Sequence, residues 1–186
     1  MNMTARMLVL GLGVLGPTLA AATAPGDAPV ITVSEQGRAY VVSAQFSVTA
    51  PAAIVRAVLT DYERIARFMP GVRTSRVLER RERYARIEQE AVSKFMMFSK
   101  RVHLVLDVNE ELDTIRFRDL CGRSFTSYEG AWTITARGGH TLIQYGLTAI
   151  PAFDVPGFVL RRLLDRDARA MIDGLRSEMA IRATPQ

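Results

Sequence analysis

Between residues 72 and 151 the chain repeats a pattern of alternating apolar and polar side chains, interrupted by very short connections, most of them polar or glycine-containing. Alternation with a period of two predicts strands, and connections of a few residues can join only antiparallel neighbours. The spacing therefore predicts an antiparallel meander of five or six strands. Their expected spans are residues 72–81, 84–94, 100–110, 113–121, 124–137 and 140–151.

A single long amphipathic segment follows the meander, over residues 156–182. Its apolar side chains recur at steps of three and four, which is the spacing of one helix face. These are Leu160, Leu164, Ala168, Met171, Leu175 and Met179. A helix of this length is about 40 Å long at 1.5 Å per residue, so it can cross a whole small sheet.

The segment before the meander predicts one strand and two short helices. Residues 40–48 alternate in polarity, and residues 54–59 have helical spacing behind Pro51, a residue favoured in a first helical turn. Asp61 is expected to cap a second short helix, which the sequence Pro70-Gly71 ends. Residues 23–37 are interpreted as a linker with room for a short edge strand around residues 30–33.

The order of these elements predicts an α+β domain over residues 38–183. A curved antiparallel sheet of six to seven strands would wrap around the long C-terminal helix, with the two short helices after the first strand. A sheet that curls around a helix can leave a gap, so this arrangement favours an internal cavity.

Residues 1–22 are predicted to be a secretory signal peptide. Arg6 is the only charged residue, residues 7–19 are largely apolar, and small residues follow at 20–24. Cleavage is expected after Ala22, with Ala24 as the other candidate, and would reduce the net charge from +5 to +4. The sequence thus predicts export to the periplasm, with an uncleaved membrane anchor as the alternative.

Specific motifs link the chain to a known superfamily. They are Val58-Leu59-Thr60-Asp61-Tyr62-Glu63-Arg64, Phe68-Met69-Pro70-Gly71-Val72, Gly130 with Trp132, Tyr145-Gly146-Leu147 and the last helix led by Pro156. Over about residues 38–182 the sequence resembles the SRPBCC superfamily, which includes START lipid-binding domains. It is most similar to the branch of polyketide cyclases/dehydrases and coenzyme-Q-binding proteins. The resemblance implies a helix-grip (START-like) fold that holds a hydrophobic ligand between the sheet and the long helix.

The candidate ligand-binding residues are those expected on the inward faces. They are Phe46, Phe68, Ile87, Gln89, Tyr128, Trp132, Tyr145, Leu147, Leu164 and Met171. A largely apolar wall with a few hydroxyl and amide groups suits a lipid, a quinone or a polyketide-like molecule. Two alternatives remain open: the same residues could fill a solid core, or they could form the cavity of a cyclase/dehydratase-type enzyme.

The sequence gives little sign of metal or acid–base chemistry. Cys121 is the only cysteine, and the two histidines, His103 and His140, are expected at the surface. No catalytic residue, metal ligand or cofactor is therefore predicted, and binding is favoured over catalysis.

The connection between the second and third strands of the meander lacks glycine, asparagine and proline, the residues that favour turns. It holds four large apolar residues between the only two lysines of the chain: Lys94, Phe95, Met96, Met97, Phe98 and Lys100. An apolar tip flanked by cations is typical of contact with an anionic membrane. Alternatively, the two strands simply run on through these residues.

Nucleic-acid binding is not expected, although residues 73–86 contain six arginines. The whole chain has 22 arginines and 2 lysines, so the arginine content reflects overall composition, and few aromatic residues accompany the patch. A monomer with a small-molecule ligand is the expected state.

Overall fold

The computed structural model describes residues 28–95 and 98–184. The predicted signal peptide, Met96 and Met97, and the side chains of residues 94–98 lie outside the described part. The elements in chain order are β1 (Val30–Gln36), β2 (Ala39–Val48), α1 (Ala52–Leu59), a 3-10 helix (Ile65–Arg67), β3 (Val72–Arg81), β4 (Tyr84–Phe95), β5 (Phe98–Glu110), β6 (Thr114–Asp119), β7 (Phe125–Arg137), β8 (His140–Pro151) and α2 (Gly157–Ala183).

The described strands form one antiparallel sheet in the order β1-β2-β8-β7-β6-β5-β4-β3. The long helix α2 packs against β1, β2, β4 and α1. This arrangement confirms the predicted α+β helix-grip fold. It places one helix against a sheet whose meander, β3 to β8, turns back to pair with β2.

Over residues 28–95 and 98–184 the sheet has eight strands, one more than the largest predicted number. The additional strand, β1, extends over seven residues of the segment interpreted as a linker and pairs along its length with β2 through a turn at Gly37. Most of its residues are exposed, so its burial gives only a weak alternating signal. The short helices consequently follow the second strand instead of the first.

The second short helix also differs from the prediction. It is a single 3-10 turn that begins after Arg64, so Asp61 does not cap it. The carboxylate of Asp61 instead pairs with Arg64 and with Arg182 near the end of α2.

Completely buried side chains of β2 and α2 belong to one hydrophobic core. Phe46 on β2 and Ile172, Leu175 and Met179 on α2 are completely buried. Leu164 and Met171 belong to the predicted apolar face of α2 but are only partly buried. The three completely buried residues of α2 thus lie in its C-terminal half, whereas partly buried residues of its apolar face occur in both halves.

The β4–β5 connection continues the two strands to their ends. Backbone pairing runs from Tyr84 opposite Asn109 to Phe95 opposite Phe98, without a register shift. This pairing agrees with the alternative in which the strands run on. Contact of the tip with a membrane stays a prediction.

Within the described ranges, neither helix combines the length and the apolar character needed to cross a lipid bilayer.

Candidate functional site

Two adjoining cavities lie between the sheet and α2. The larger, which we call the outer cavity, has a volume of about 350 Å³, and the smaller, the inner cavity, about 90 Å³. Five residues belong to the walls of both: Met69, Gln89, Tyr128, Tyr145 and Met171. These shared residues, which we call the boundary, mark where one cavity ends and the other begins.

The outer cavity is lined mainly by apolar side chains from distant parts of the chain. Leu160, Leu164 and Ala168 come from α2, whereas Val42 and Leu147 come from β2 and β8. Each element contributes its inward face, as the period of two in the strands and the helical stripe dictate. The wall is therefore built by tertiary packing of faces that are each apolar by sequence.

The rim of the outer cavity is polar. The ammonium group of the exposed Lys100 lies 4.2 Å from the ring centroid of Phe153, within the range of a cation–π contact. The hydroxyl of Ser93 on β4 donates a hydrogen bond to the carboxylate of Asp167 on α2. These two contacts join the β4–β5 hairpin to the opposite side of the cavity.

The inner cavity has a buried ionic group behind its wall. The hydroxyl of Tyr62 donates to Glu110 Oε1 over 2.9 Å, and Arg80 Nη1 lies 2.9 Å from the same oxygen. Burial, with the neighbouring Glu110 carboxylate, raises the pKa of the Tyr62 hydroxyl far above its ordinary value. Tyr62 therefore stays protonated and holds the carboxylate in place.

The boundary carries the polar groups that face both cavities. Gln89 Nε2 donates to Ser75 Oγ over 3.2 Å, and Tyr128 and Tyr145 are neighbours whose rings both lie beside that of Phe117. Burial raises the pKa of Tyr128 to about 12 and that of Tyr145 well above its ordinary value. Both are neutral near pH 7, so they can form hydrogen bonds but cannot act as phenolate bases.

Most of the predicted ligand-binding residues lie in these walls. They are Ile87, Gln89, Tyr128, Trp132, Tyr145, Leu147, Leu164 and Met171. The structure brings them together around one space, and ligand binding by them stays a prediction.

Two predicted ligand-binding residues lie outside both walls. Phe46 is completely buried in the core and lines neither cavity. The ring of Phe68 lies against Arg182 in the C-terminal half of α2, with the guanidinium carbon 5.7 Å from the ring centroid. Inward direction alone did not distinguish residues that face a cavity from residues that face packed side chains.

Several wall residues were not predicted from the sequence. Phe153 and Asp154 precede α2, Ser93 and Val92 come from the hairpin, and Met69 precedes the Pro70-Gly71 turn. Residues 69, 153 and 154 lie outside the periodic segments, and residues 92 and 93 lie near the end of the strand predicted over residues 84–94. Lys100, predicted to contact a membrane, lies at the rim of the outer cavity.

The walls contain few ionisable groups. Asp154 and Asp167 are the carboxylates among the described wall residues, and both belong to the outer cavity. His103 lies elsewhere, with its ring nitrogens 3.8 Å from Glu88 and 3.9 Å from Glu90. Among residues 28–95 and 98–184, no group of three or more histidine, cysteine or acidic side chains could hold a metal ion. The site is suited to holding an apolar molecule with one or two hydrogen bonds.

Comparison with known families agrees with this geometry. Residues 48–176 match the family described as polyketide cyclase/dehydrase and lipid transport. The chain belongs to this family. The resemblance to the START/SRPBCC superfamily predicted from the motifs is therefore confirmed.

Solved structures of other proteins show the same fold. A STAR-related lipid transfer protein from Xanthomonas axonopodis is 15% identical with a TM-score of 0.63, covering 81% of this chain and 98% of that one. A START superfamily protein from Mycobacterium smegmatis is 19% identical, with a TM-score of 0.62 and coverage of 76% and 97%. The Zhui aromatase/cyclase from Streptomyces sp. R1128 is 16% identical, with a TM-score of 0.65 and coverage of 78% and 96%. A search of curated proteins found no significant match.

Proposed function

We propose that this protein binds a hydrophobic small molecule in the outer and inner cavities. The observation that carries the proposal is the outer cavity, with about 350 Å³ and a mainly apolar wall. Small-molecule sites usually measure about 300–1,000 Å³, and an apolar cavity of about 150 Å³ can already hold benzene. The outer cavity therefore has more than twice the volume of a cavity that holds benzene.

The proposed ligand is a lipid, a quinone or a polyketide-like molecule. Transfer of its apolar surface from water to the cavity would supply most of the binding free energy. The Xanthomonas protein is named for lipid transfer and the Streptomyces protein for an aromatase/cyclase activity. These functions support a hydrophobic ligand for this chain without deciding between binding and catalysis.

Catalysis of a cyclisation or dehydration in the same cavity is the second candidate. The amide of Gln89 and the hydroxyls of Tyr128 and Tyr145 favour it, because such groups can hydrogen-bond to a substrate carbonyl. Binding is the stronger proposal, since both tyrosines are held neutral by burial and the described inner wall contains no carboxylate or histidine. Turnover of a polyketide-like substrate by the purified protein would reverse this preference.

The protein is also proposed to act in the periplasm and to meet its ligand at an anionic membrane. The signal-like residues 1–22 support export, and the apolar sequence at residues 95–98 with Lys94 and Lys100 supports membrane contact. Lys100 lies at the rim of the outer cavity, so a membrane-bound tip would bring the cavity close to the lipid.

Blocking the outer cavity tests the proposal. Leu164→Trp places a larger ring in the wall of the outer cavity, whereas Ile181→Trp changes a side chain on the same helix that is 65% exposed. In native mass spectrometry with added phospholipid or quinone extract, we expect bound mass on the wild type and on Ile181→Trp, and none on Leu164→Trp. A clean unliganded mass for the wild type, or equal uptake by both variants, would contradict the proposal.

A further inference from the structure

Three polar side chains lie at the boundary of the two cavities. Gln89, Tyr128 and Tyr145 line both cavities, and the other two shared residues, Met69 and Met171, are apolar. A ligand that extends through both cavities would therefore pass these three polar side chains part-way along its length. A hydrogen bond from these side chains would therefore reach an atom in the middle part of such a ligand and not an atom at either end.

The tyrosine pair has one proton available for a ligand. Where one of two neighbouring hydroxyls donates to the other, the second keeps its own proton, and Tyr128 is the more accessible of the two side chains, because it is only partly buried whereas Tyr145 is 7% exposed. A hydroxyl that accepts one bond can still donate its own proton. No other described residue forms a hydrogen bond with Tyr128, so its proton is free for a ligand at the boundary.

The boundary is uncharged, which favours a neutral hydrogen-bond acceptor on the ligand. Its five side chains are all neutral, with both tyrosines protonated. An ionised carboxylate or phosphate buried here would lack a cationic partner, at a large desolvation cost. A neutral carbonyl oxygen needs only a donor, which Tyr128 can provide.

The unequal volumes define where the carbonyl lies in the ligand. The inner cavity, at about 90 Å³, has room for a short apolar end, whereas the outer cavity has room for a much larger body. Resting on the proposed binding function, we propose that the ligand is an elongated, uncharged apolar molecule with a carbonyl oxygen between a short end and a long body. Tyr128 donates a hydrogen bond to that oxygen and is the residue that determines this specificity.

A matched pair of probes tests the inference. Ethyl nonyl ketone and dodecane have the same carbon skeleton and differ by one carbonyl. Trp132 reports binding, because it is the only tryptophan and its ring lies in the inner wall, 4.3 Å from that of Tyr145. The ratio of the two dissociation constants is measured by fluorescence titration for the wild type and for each variant. Comparing ratios between proteins cancels the different hydration of the two probes.

We expect Tyr128→Phe to reduce the preference for the ketone by about fivefold, the usual effect of one neutral hydrogen bond. The control is Tyr84→Phe, because the Tyr84 hydroxyl donates to Asp107 away from the cavities, and its ratio should match the wild type. Dodecane should bind Tyr128→Phe as well as it binds the wild type, which would show that the variant is folded.

Three results would overturn the inference. An unchanged ratio in Tyr128→Phe would mean that its hydroxyl does not bind the carbonyl. Loss of the preference for the ketone in Tyr145→Phe, with no loss in Tyr128→Phe, would show that Tyr145 and not Tyr128 is the donor. These two results would leave the proposed function standing, whereas binding of neither probe to the wild type would overturn both.

Discussion

Asp61 ties the end of the long helix to the segment that precedes the meander. Its Oδ2 atom lies 2.6 Å from Arg182 Nη2 and 2.7 Å from Arg64 Nη2. Burial would by itself raise the pKa of this carboxyl, but its hydrogen bonds to Arg64 and Arg182 outweigh burial and hold the pKa below its ordinary value. The folded state thus binds this proton less readily than the unfolded state.

The lowered pKa predicts how stability depends on pH. The stabilisation from Asp61 is complete above the ordinary aspartate range and is lost as the pH falls through the lowered value, because the unfolded chain takes up the proton first. Asp61→Asn should lower the free energy of unfolding by about 1–3 kcal/mol at pH 7 and by less at pH 3. Urea unfolding at both pH values measures the difference.

Glu88→Gln is the matched control for Asp61→Asn. Glu88 pairs with Arg76 over 2.7 Å, but the Arg76 side chain is 70% exposed, so its loss should change the free energy of unfolding by no more than about 1 kcal/mol. Equal effects of the two substitutions, or an Asp61→Asn effect that grows toward acid, would contradict this account.

The packing of helix α2 depends on Gly174, although glycine has a lower helix propensity than any residue except proline. A Cβ atom added at Gly174 would collide with the backbone carbonyl oxygen of Phe68, and the ring of Pro70 is 3.1 Å away. The contact is with backbone, so it cannot be relieved by a side-chain rotation. Gly174 therefore allows the helix to lie against the segment that joins the 3-10 turn to β3.

Gly174→Ala is predicted to destabilise the protein, although the same change in an exposed helix stabilises it by about 1 kcal/mol. The collision should cost more than this gain, with a net loss of about 2 kcal/mol or more measured by urea unfolding. Gly146→Ala is the control, because an added Cβ at Gly146 meets nothing within 4 Å. A gain in stability for Gly174→Ala would show that the helix packs less closely than described.

The two ends of strand β5 in the whole molecule offer a comparison that bears on membrane contact. The β4–β5 tip carries the apolar residues 95–98 between the only two lysines, whereas Leu112, 85% exposed, lies at the opposite end of β5. If the tip binds membranes, only substitutions at that end should weaken the binding.

Cosedimentation with anionic phospholipid vesicles measures this. The double substitution Phe95→Ser with Phe98→Ser should reduce the bound fraction severalfold, since each aromatic ring removed from the acyl boundary loses roughly 1–2 kcal/mol. Leu112→Ser should bind like the wild type. Unchanged binding of the double variant would refute membrane docking by the tip.

Sequence patterns defined the strands closely where the signal is local. β3 and β8 have the predicted bounds, and α2 differs from its prediction by one residue at each end. The reason is that periods of 2 and 3.6 are properties of neighbouring residues, which a sequence displays directly. The edge strand β1 was underestimated because its partner β2, and not its own pattern, makes it a strand.

The amino-acid sequence by itself determined the element order, the inward faces and, through its motifs, the family. It could not decide that Phe46 is packed while Leu164 and Met171 border a cavity, because all three are apolar residues on inward faces. It also gave no sign that Gly174 touches the backbone of Phe68 or that Asp61 pairs with Arg182, 121 residues away. Only the tertiary structure sets the distance between facing elements, and that distance decides whether the space between two apolar faces is filled or open to a ligand.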